Sequence, residues 1–242
     1  GRLDAIEMIT MGKDSHDEYY RYLNCGYKLP LVGGTDKMSS EVPVGLYRTY
    51  ARLGGDGELT YDNWCESVKQ GRTFLSAGPI IHLSVDGKEV GDIIRMSGPG
   101  TVEIEAWAES NLPINTLQIF QAGKVVASTE SRHGTRRLHL KERIRVDGHT
   151  WLAARTGGPG YFDGLVYHDI WSRGMFAHTS PIYIACKEDW WMFDHKHAEY
   201  MMTLIEGGLG YIRERSGQHS HGNVTHQHGQ SDHMAYLEAP FW

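Results

Sequence analysis

The spacing of apolar residues follows two different periods along this chain, and one replaces the other near residue 80. Residues 3 to 11 form a short, mostly apolar run that is typical of a strand buried on both faces. Apolar residues at helical spacing follow between residues 14 and 26, and a second apolar run covers residues 30 to 34. This order predicts a strand, a helix and a second strand, as in one unit of an α/β barrel.

The next segment combines a loop with a second helix. Residues 42 to 57 are predicted to form a loop. Thr60 then begins a helix with Trp64 and Val68 on one face, and Gly71 ends that pattern.

From residue 80 onward, apolar residues recur at every second position instead. Residues 101 to 108 alternate polar and apolar side chains, as a half-buried strand does, and Asp-Gly pairs beginning at residues 86 and 147 are hairpin signals. Roughly seven strands are predicted up to residue 186, which is enough for an antiparallel β-sandwich.

A third helix is predicted after residue 187, where apolar residues recur in steps of three and four and Gly207-Gly208 ends the pattern. Its stripe consists of Trp190, Phe193, His197, Met201 and Leu204. The polar tail that follows contains His219, His221, His226, His228 and His233. In an extended conformation, a His-x-His pair can bind a transition metal. The alternative is a solvated tail that ends in an apolar clip over residues 239 to 242.

The composition indicates a soluble globular protein and excludes two classes of partner. The 242 residues are 40% hydrophobic, and no run approaches the roughly 18 apolar residues that span a membrane. A net charge of -6 offers no basic stripe to a phosphate backbone, which excludes nucleic acid. Cys25, Cys65 and Cys186 are too widely spaced to define a disulfide framework or a zinc site. The sequence does not determine the cellular compartment, and a periplasmic or secreted location is favoured over the cytoplasm.

Two carboxylates stand where strand ends would present them. Asp36 follows an apolar run and the double glycine Gly33-Gly34, which is how a barrel delivers a ligand into a loop at the C-terminal end of a strand. The alternative is a turn aspartate that caps the next segment. Glu7 lies inside the first apolar run, where a carboxylate is costly to bury unpaired, so it is either a site residue or an ion-paired one.

Six short motifs occur in a fixed order over residues 1 to 186. They are Asp4-Ala-Ile-Glu-Met-Ile-Thr10, Tyr22-Leu-Asn-Cys-Gly26, Gly34-Thr-Asp36, Gly71-Arg-Thr-Phe-Leu-Ser-Ala-Gly-Pro79, Trp151-Leu-Ala-Ala-Arg155 and Ala177-His-Thr-Ser-Pro-Ile-Tyr183. Together they resemble the C-terminal part of PHP-like metallohydrolases of the CehA/McbA family. The resemblance and the periodicity of apolar residues together predict an α+β fold with three parts. These are the C-terminal part of a PHP-type α/β barrel (1–79), an antiparallel β-sandwich (80–186), and a C-terminal amphipathic helix with the His-rich tail (187–242).

The resemblance also implies a metal-dependent hydrolase of ester, amide or phosphoester bonds. A divalent metal, zinc, manganese or iron, would activate a bound water. Asp36 would ligate the metal and act in catalysis, and Glu7 would be a ligand or a base. Met38 stands where the family has a second ligand, a histidine, and a thioether does not suit a hard cation. Residues 1 to 81 contain only His16, so this chain cannot build the full metal centre alone.

Three further residues would position a small-molecule substrate. Arg48 would clamp an anionic group, and the alternative is a surface or structural arginine. Arg155 and His178 flank a long loop that is either functional or a packed cover. The loop begins with Thr156-Gly-Gly-Pro-Gly160 and continues in an aromatic segment that contains Tyr161, Phe162, Tyr167, His168 and Trp171.

Two functions are therefore open at this stage. The first is a PHP-like metallohydrolase, or the larger part of one. The second is a catalytically degenerate barrel and sandwich that acts as a binding or assembly module. Two barrel strands cannot close a barrel, so we expect that the chain does not stand alone. It would form a homo-oligomer or join an N-terminal half in another chain.

Overall fold

The computed structural model of the chain describes residues 3–8, 15–35, 40, 44–54, 57–158 and 174–215. Within them the elements, in chain order, are β1 (Ile6–Glu7), α1 (Ser15–Asn24), β2 (Leu31–Val32), β3 (Arg48–Ala51), α2 (Tyr61–Lys69), β4 (Thr73–Ser76), β5 (Ile80–Val85), β6 (Lys88–Glu89), β7 (Ile93–Met96), β8 (Gly100–Gln121), β9 (Lys124–Val146), β10 (Thr150–Gly157), β11 (Phe176–Thr179), β12 (Ile182–Cys186) and α3 (His195–Arg215). The chain divides into two units, Gly1–Met192 and Phe193–Trp242, and each is described by itself.

One large, mainly antiparallel sheet dominates the first unit. Its strands follow the order β3-β4-β11-β10-β8-β5-β6, with β12 beside β10, β7 beside β12 and β9 beside β8. Within the described part of this sheet, β7 and β12 are the one parallel pair. The long hairpin of β8 and β9 turns at Ala122 and Gly123, whose φ angles of 49° and 86° suit a two-residue hairpin turn.

Strand β10 is buried on both faces and contributes to two hydrophobic clusters. Leu152 and Ala154 belong to a cluster formed between strands, while Trp151 and Ala153 belong to a second cluster that also contains the apolar face of α1. This division follows from the alternation of side chains along a strand. Full burial of each large apolar side chain contributes roughly 1.5–3 kcal/mol to stability. The helix α1 therefore covers one face of the sheet.

The elements β1, α1 and β2 form the strand, helix and strand that the sequence predicts. Strands β1 and β2 pair in parallel. Helix α1 ends at Asn24, and Gly26 then turns the chain with a φ of +89°. A Cβ atom at Gly26 would overlap the carbonyl oxygen of Met192, so the backbone angle and the close approach both require glycine.

The predicted PHP-type α/β barrel over residues 1–79 is wrong. Parallel pairing in this region is limited, among the described residues, to β1 and β2. Strands β3 and β4 pair antiparallel and join the large sheet through β11, so the described fold is mainly antiparallel β with three helices. A single strand–helix–strand unit has the same sequence pattern whether or not further parallel strands follow it. Arg48 also lies in β3, within the segment that was predicted to be a loop.

Other parts of the pattern agree with the structure. Antiparallel strands fill most of the described chain between residues 80 and 186, as the period-two alternation predicts. Helix α2 begins after Thr60, whose Oγ1 accepts a hydrogen bond from the backbone N–H of Asn63 at 3.2 Å. This contact is the capping interaction expected of a threonine at that position.

The third helix has different bounds from those predicted. Trp190 precedes it and is buried, and its Nε1–H donates to the carbonyl oxygen of Thr150 at 2.8 Å. Helix α3 begins after Asp194, whose carboxylate accepts the N–H group of Lys196 at 2.9 Å. The helix also continues through Gly207-Gly208, where its end was predicted. No helix among the described residues is both long and apolar enough to cross a membrane.

Candidate functional site

Glu7, a predicted catalytic carboxylate, is exposed at the C-terminal end of β1. Its Oε1 accepts a hydrogen bond from the backbone N–H of Gly34 at 3.1 Å. The sequence left two alternative roles for Glu7, a site residue or an ion-paired residue. The structure shows a third arrangement, in which the carboxylate ties β1 to the turn after β2.

The inner edge of β2 is closed by two buried hydroxyl groups. The backbone N–H of Leu31 donates to Ser180 Oγ at 2.8 Å, and Thr73 Oγ1 donates to the carbonyl oxygen of Leu31 at 2.7 Å. The two hydroxyl groups lie 2.7 Å apart and bond to each other. Side chains from β4 and from the turn after β11 thus replace a neighbouring strand and satisfy the backbone of β2.

The outer edge of β1 has no pairing strand within the described part of the chain. The N–H of Ile6 donates to the carbonyl oxygen of Pro30 at 2.9 Å, and that of Met8 donates to Val32 at 3.4 Å. Because successive residues of a strand turn their backbone groups to opposite edges, Glu7 turns its N–H and C=O away from β2. Among the described strands, none pairs with this outer edge.

The chain after β2 is anchored by Thr35, which is buried. Thr35 Oγ1 accepts the N–H of Gly45 at 2.9 Å and donates to the carbonyl oxygen of Tyr47 at 3.3 Å. These bonds hold the two ends of the intervening segment together. Asp36, the predicted metal ligand, and Met38 fall in that segment and lie outside the described residues.

Arg48, a predicted substrate-binding residue, is exposed at the start of β3. Its guanidinium carbon lies 5.8 Å from the ring centre of Tyr50 on the same strand. Such a cation–π contact at an exposed site contributes on the order of 0.5–1 kcal/mol. The arrangement matches the alternative of a surface arginine that packs along its own strand.

Arg155 and His178, the other two predicted substrate-binding residues, are brought together. They are directly opposite each other on the antiparallel strands β10 and β11. Arg155 Nη2 donates to Gln118 Oε1 at 2.9 Å, and its guanidinium carbon lies 4.5 Å from the ring centre of Phe120. His178 has no exposed surface, which removes it from direct contact with a dissolved substrate.

The proton position on His178 follows from its hydrogen bonds. Nδ1 lies 2.7 Å from the carbonyl oxygen of Thr179, which can only accept, so Nδ1 carries the proton. Nε2 then accepts from the hydroxyl group of Tyr20 at 2.7 Å. Burial, with smaller contributions from nearby His16 and Arg155, holds the pKa of His178 well below its usual value of 6.5. The ring is therefore neutral and fixed in one tautomer.

Two residues of this cluster were not predicted to belong to it. His16 was expected at the surface, but it is only 6% exposed, and its ring centre lies 5.8 Å from that of His178. Tyr20 was assigned to the helix without a polar role. His16, Tyr20 and Leu23 are spaced by four and three residues, so they share the helix face that packs on the sheet. That spacing could have predicted the burial of His16. The cluster joins α1 to β10 and β11 and supports a structural role.

The described residues do not fit the divalent metal that the resemblance implies. No group of three or more His, Cys, Asp or Glu side chains within the described ranges is placed to hold an ion. Both ring nitrogens of His178 are used in hydrogen bonds, and Glu7 binds the backbone of Gly34. Asp36 and the tail histidines lie outside the described residues. The assignment to the metal-binding hydrolases of the PHP type is corrected accordingly, while a zinc, manganese or iron cofactor stays a prediction.

Comparisons with known proteins give no family. No protein-family model and no curated protein matches the chain. Three solved structures resemble part of it, each with a TM-score of 0.28. Fibronectin(III)-like modules of CbhA from Clostridium thermocellum are 11% identical over 43% of this chain and 93% of that chain.

The other two structures are of a CARDB domain from Pyrococcus furiosus. Its crystal structure, in complex with di-metal ions, is 10% identical over 45% of this chain and 96% of that chain. Its solution structure is 12% identical over 46% of this chain and 98% of that chain. At this TM-score the likeness carries no argument about function.

Proposed function

We propose that this chain is a binding or assembly module that joins a partner polypeptide by strand addition at β1. The observation that supports the proposal most strongly is the outer edge of β1, which no strand of the described ranges pairs with, in a two-stranded parallel sheet. Addition of a strand to an exposed sheet edge is a recurrent mode of peptide recognition, in which main-chain hydrogen bonds supply affinity.

The physical argument rests on how small parallel sheets are stabilised. Parallel strands are normally covered on both faces and flanked by further strands, and an isolated pair is marginal in water. Here the inner edge of β2 is satisfied by Thr73 and Ser180, so of the two strands in this small sheet it is β1 whose outer edge is unused by the described residues. A partner strand would use the N–H and C=O groups that Glu7 turns outward.

The surface beside this edge also favours a protein partner. Leu3, just before β1, is 61% exposed, and Ile6 is half-buried. Apolar side chains next to unpaired main-chain groups form the kind of edge that native proteins normally cover. A partner strand would remove both from water at once.

The cluster around His178 supports this proposal over catalysis. A general acid or base must come within hydrogen-bond reach of the substrate proton, and His178 is fully buried with both nitrogens engaged. Arg155 is directed along the sheet to Gln118 and Phe120. These residues stabilise the packing of α1 on the large sheet, which supports β1.

The test uses proline as a probe of the outer edge. Glu7→Pro removes the outward N–H and leaves intact the N–H groups of Ile6 and Met8, which donate to β2. Glu7→Gln is the matched control, because glutamine keeps the backbone N–H and retains an oxygen that can accept from Gly34. Ala5→Pro is a second probe, since Ala5 turns its backbone to the same edge as Glu7.

The tagged variants are produced in the source cells and measured by native mass spectrometry. The wild-type chain and Glu7→Gln should carry a partner polypeptide, and the two proline variants should lose it while keeping a wild-type circular dichroism spectrum. A partner retained equally by all four proteins would overturn strand addition. Metal analysis of the same samples separates the alternative: one to three divalent ions per chain would indicate a metal-dependent hydrolase.

A further inference from the structure

Helix α3 carries an exposed stripe of large and small residues. Tyr200, Leu204 and Tyr211 are 39%, 45% and 61% exposed, and Gly207, between Leu204 and Tyr211 along the helix, is also exposed. Their spacing of four, three and four residues places all four within about 60° of one another at roughly 100° per residue. Ile212, which is buried, lies off this stripe. The stripe is apolar, continuous and about 16 Å long at 1.5 Å per residue.

The stripe is complementary to itself when two copies run antiparallel. The midpoint of the four residues falls between Leu204 and Gly207. A two-fold axis through that midpoint places Leu204 of one copy opposite Gly207 of the other, and Tyr200 opposite Tyr211. At the centre of the contact Leu204 thus faces a position without a side chain, which lets the two helices pack closely there, while the tyrosines pair at its two ends.

The charges beside the stripe point to the same arrangement. Lys196 and Glu214 are both exposed and lie on the same flank of the stripe, at nearly equal distances from the midpoint. In the antiparallel arrangement, Lys196 of each copy approaches Glu214 of the other. A parallel arrangement would instead place the two copies of Lys196 on opposite flanks of the contact, and likewise the two copies of Glu214, so that neither meets an opposite charge. It would also set Leu204 against Leu204 and Gly207 against Gly207. Charge and volume therefore both favour antiparallel pairing.

We propose that α3 is an interface between two copies of this chain, which pair antiparallel about the midpoint of Leu204 and Gly207. The two copies form an isologous contact, in which the same surface of each chain is used. This interface is separate from β1 and does not depend on the partner polypeptide proposed above. The contact area of one helix pair is small, so the dimer forms reversibly in the micromolar range of concentration, as weak interfaces do.

Two glycines of α3 provide a matched test. A Cβ atom added at Gly207 or at Gly210 meets no atom within 4 Å, so either position tolerates a larger residue within the chain. Gly207 lies on the stripe and Gly210 lies off it. Gly207→Leu fills the space that Leu204 of the second copy occupies, whereas Gly210→Leu leaves that space unchanged. Both changes favour the helix by a similar amount, because glycine is a poor helix former.

The measurement is sedimentation equilibrium of the purified full-length chain between about 1 and 100 µM, a range that spans a micromolar dissociation constant. The average molecular mass of the wild-type chain and of Gly210→Leu should rise with concentration from 27.3 kDa toward twice that value. Gly207→Leu should weaken the dimer by at least about tenfold, as overpacking of a tight contact does. A monomeric wild-type chain throughout this range, or equal dimers of both leucine variants, would overturn the proposal.

A charge exchange tests the antiparallel register directly. Lys196→Glu and Glu214→Lys should each weaken the dimer several-fold, and the double variant should recover the wild-type dissociation constant. In a parallel pair Lys196 of one copy does not approach Glu214 of the other, so the double variant would have no reason to recover the wild-type dissociation constant. Failure of recovery would therefore overturn the antiparallel arrangement. Because none of these changes alters a residue of β1, this test is separate from that of the proline variants.

Discussion

The hydroxyl group of Tyr20, on α1, lies 2.7 Å from Nε2 of His178, on β11, and both side chains are buried. The bond joins the helix of the strand–helix–strand unit to the large sheet. Because β2 is held by Thr73 and Ser180 at the same time, the unit is fixed to the sheet at two places. The position of β1 depends on both.

Removal of the Tyr20 hydroxyl should destabilise the fold. Tyr20→Phe leaves the buried Nε2 of His178 without its donor, and a buried acceptor that loses its partner costs about 1–3 kcal/mol. Tyr22→Phe is the matched control on the same helix, and it should change the free energy of unfolding by much less. Urea unfolding followed by circular dichroism measures both. Equal effects of the two substitutions would contradict the structural role of the bond.

The stability of the protein should fall as the pH drops below neutral. The pKa of His178 in the folded chain lies below its usual value of 6.5, so the unfolded chain binds this proton more readily. The stability from neutral His178 is complete above pH 6.5 and is lost as the pH falls toward the lower folded pKa. One proton changes the free energy of unfolding by at most about 1.4 kcal/mol per pH unit.

Urea unfolding at pH 7.5 and pH 5.5 tests this dependence. Glu105 and Asp194 have pKa values lowered from 4.5 and 3.8, so their effects fall below this window. His178→Gln should be less stable at neutral pH and should show a weaker dependence between the two pH values. An unchanged pH dependence in His178→Gln would contradict the account.

The basic residues on the outer face of β9 should protect an exposed sheet edge. Strand β9 pairs with β8 alone among the described strands, and its successive outward residues are Arg137, His139, Lys141, Arg143 and Arg145. Charged side chains on an edge strand oppose pairing with other molecules. The double variant Lys141→Val and Arg143→Val should therefore aggregate faster, as measured by light scattering at constant temperature. An unchanged aggregation rate would contradict this role.

The sequence predicted local structure better than the relation between distant segments. Helices α1 and α2 follow from apolar spacing with a capping Thr60 and a terminal Gly26, which are local features. The strands after residue 80 follow from alternation. The barrel prediction failed because one parallel pair does not determine its neighbours. The start of α3 was predicted too early because Trp190 was counted in its apolar stripe. Trp190 instead packs in the core of the first unit, and α3 begins after Asp194, which caps it.

The candidate site shows the same limit. The sequence placed Arg155 at the end of a predicted strand and His178 only beside a loop, so strand β11, which carries His178, was not predicted. The direct pairing of the two residues depends on the register between segments that are far apart in sequence. The buried environment of His178 depends on Tyr20, from a third segment. The sequence pattern around an exposed arginine such as Arg48 is the same whether the side chain binds substrate or simply lies on the surface. The positions of these residues therefore depend on contacts between distant segments, which the sequence pattern does not contain.

The most direct test of the open β1 edge is amide hydrogen exchange at single residues, measured by NMR. The Gly207→Leu background keeps the α3 interface from contributing. In the isolated chain, the amide of Glu7 should exchange rapidly, whereas that of Met8, which donates to Val32, should be slower. In the complex with the partner polypeptide, the Glu7 amide should become protected by at least tenfold, corresponding to about 1.4 kcal/mol of added local stability. An amide of Glu7 that exchanges at the same rate with and without the partner would contradict strand addition at β1.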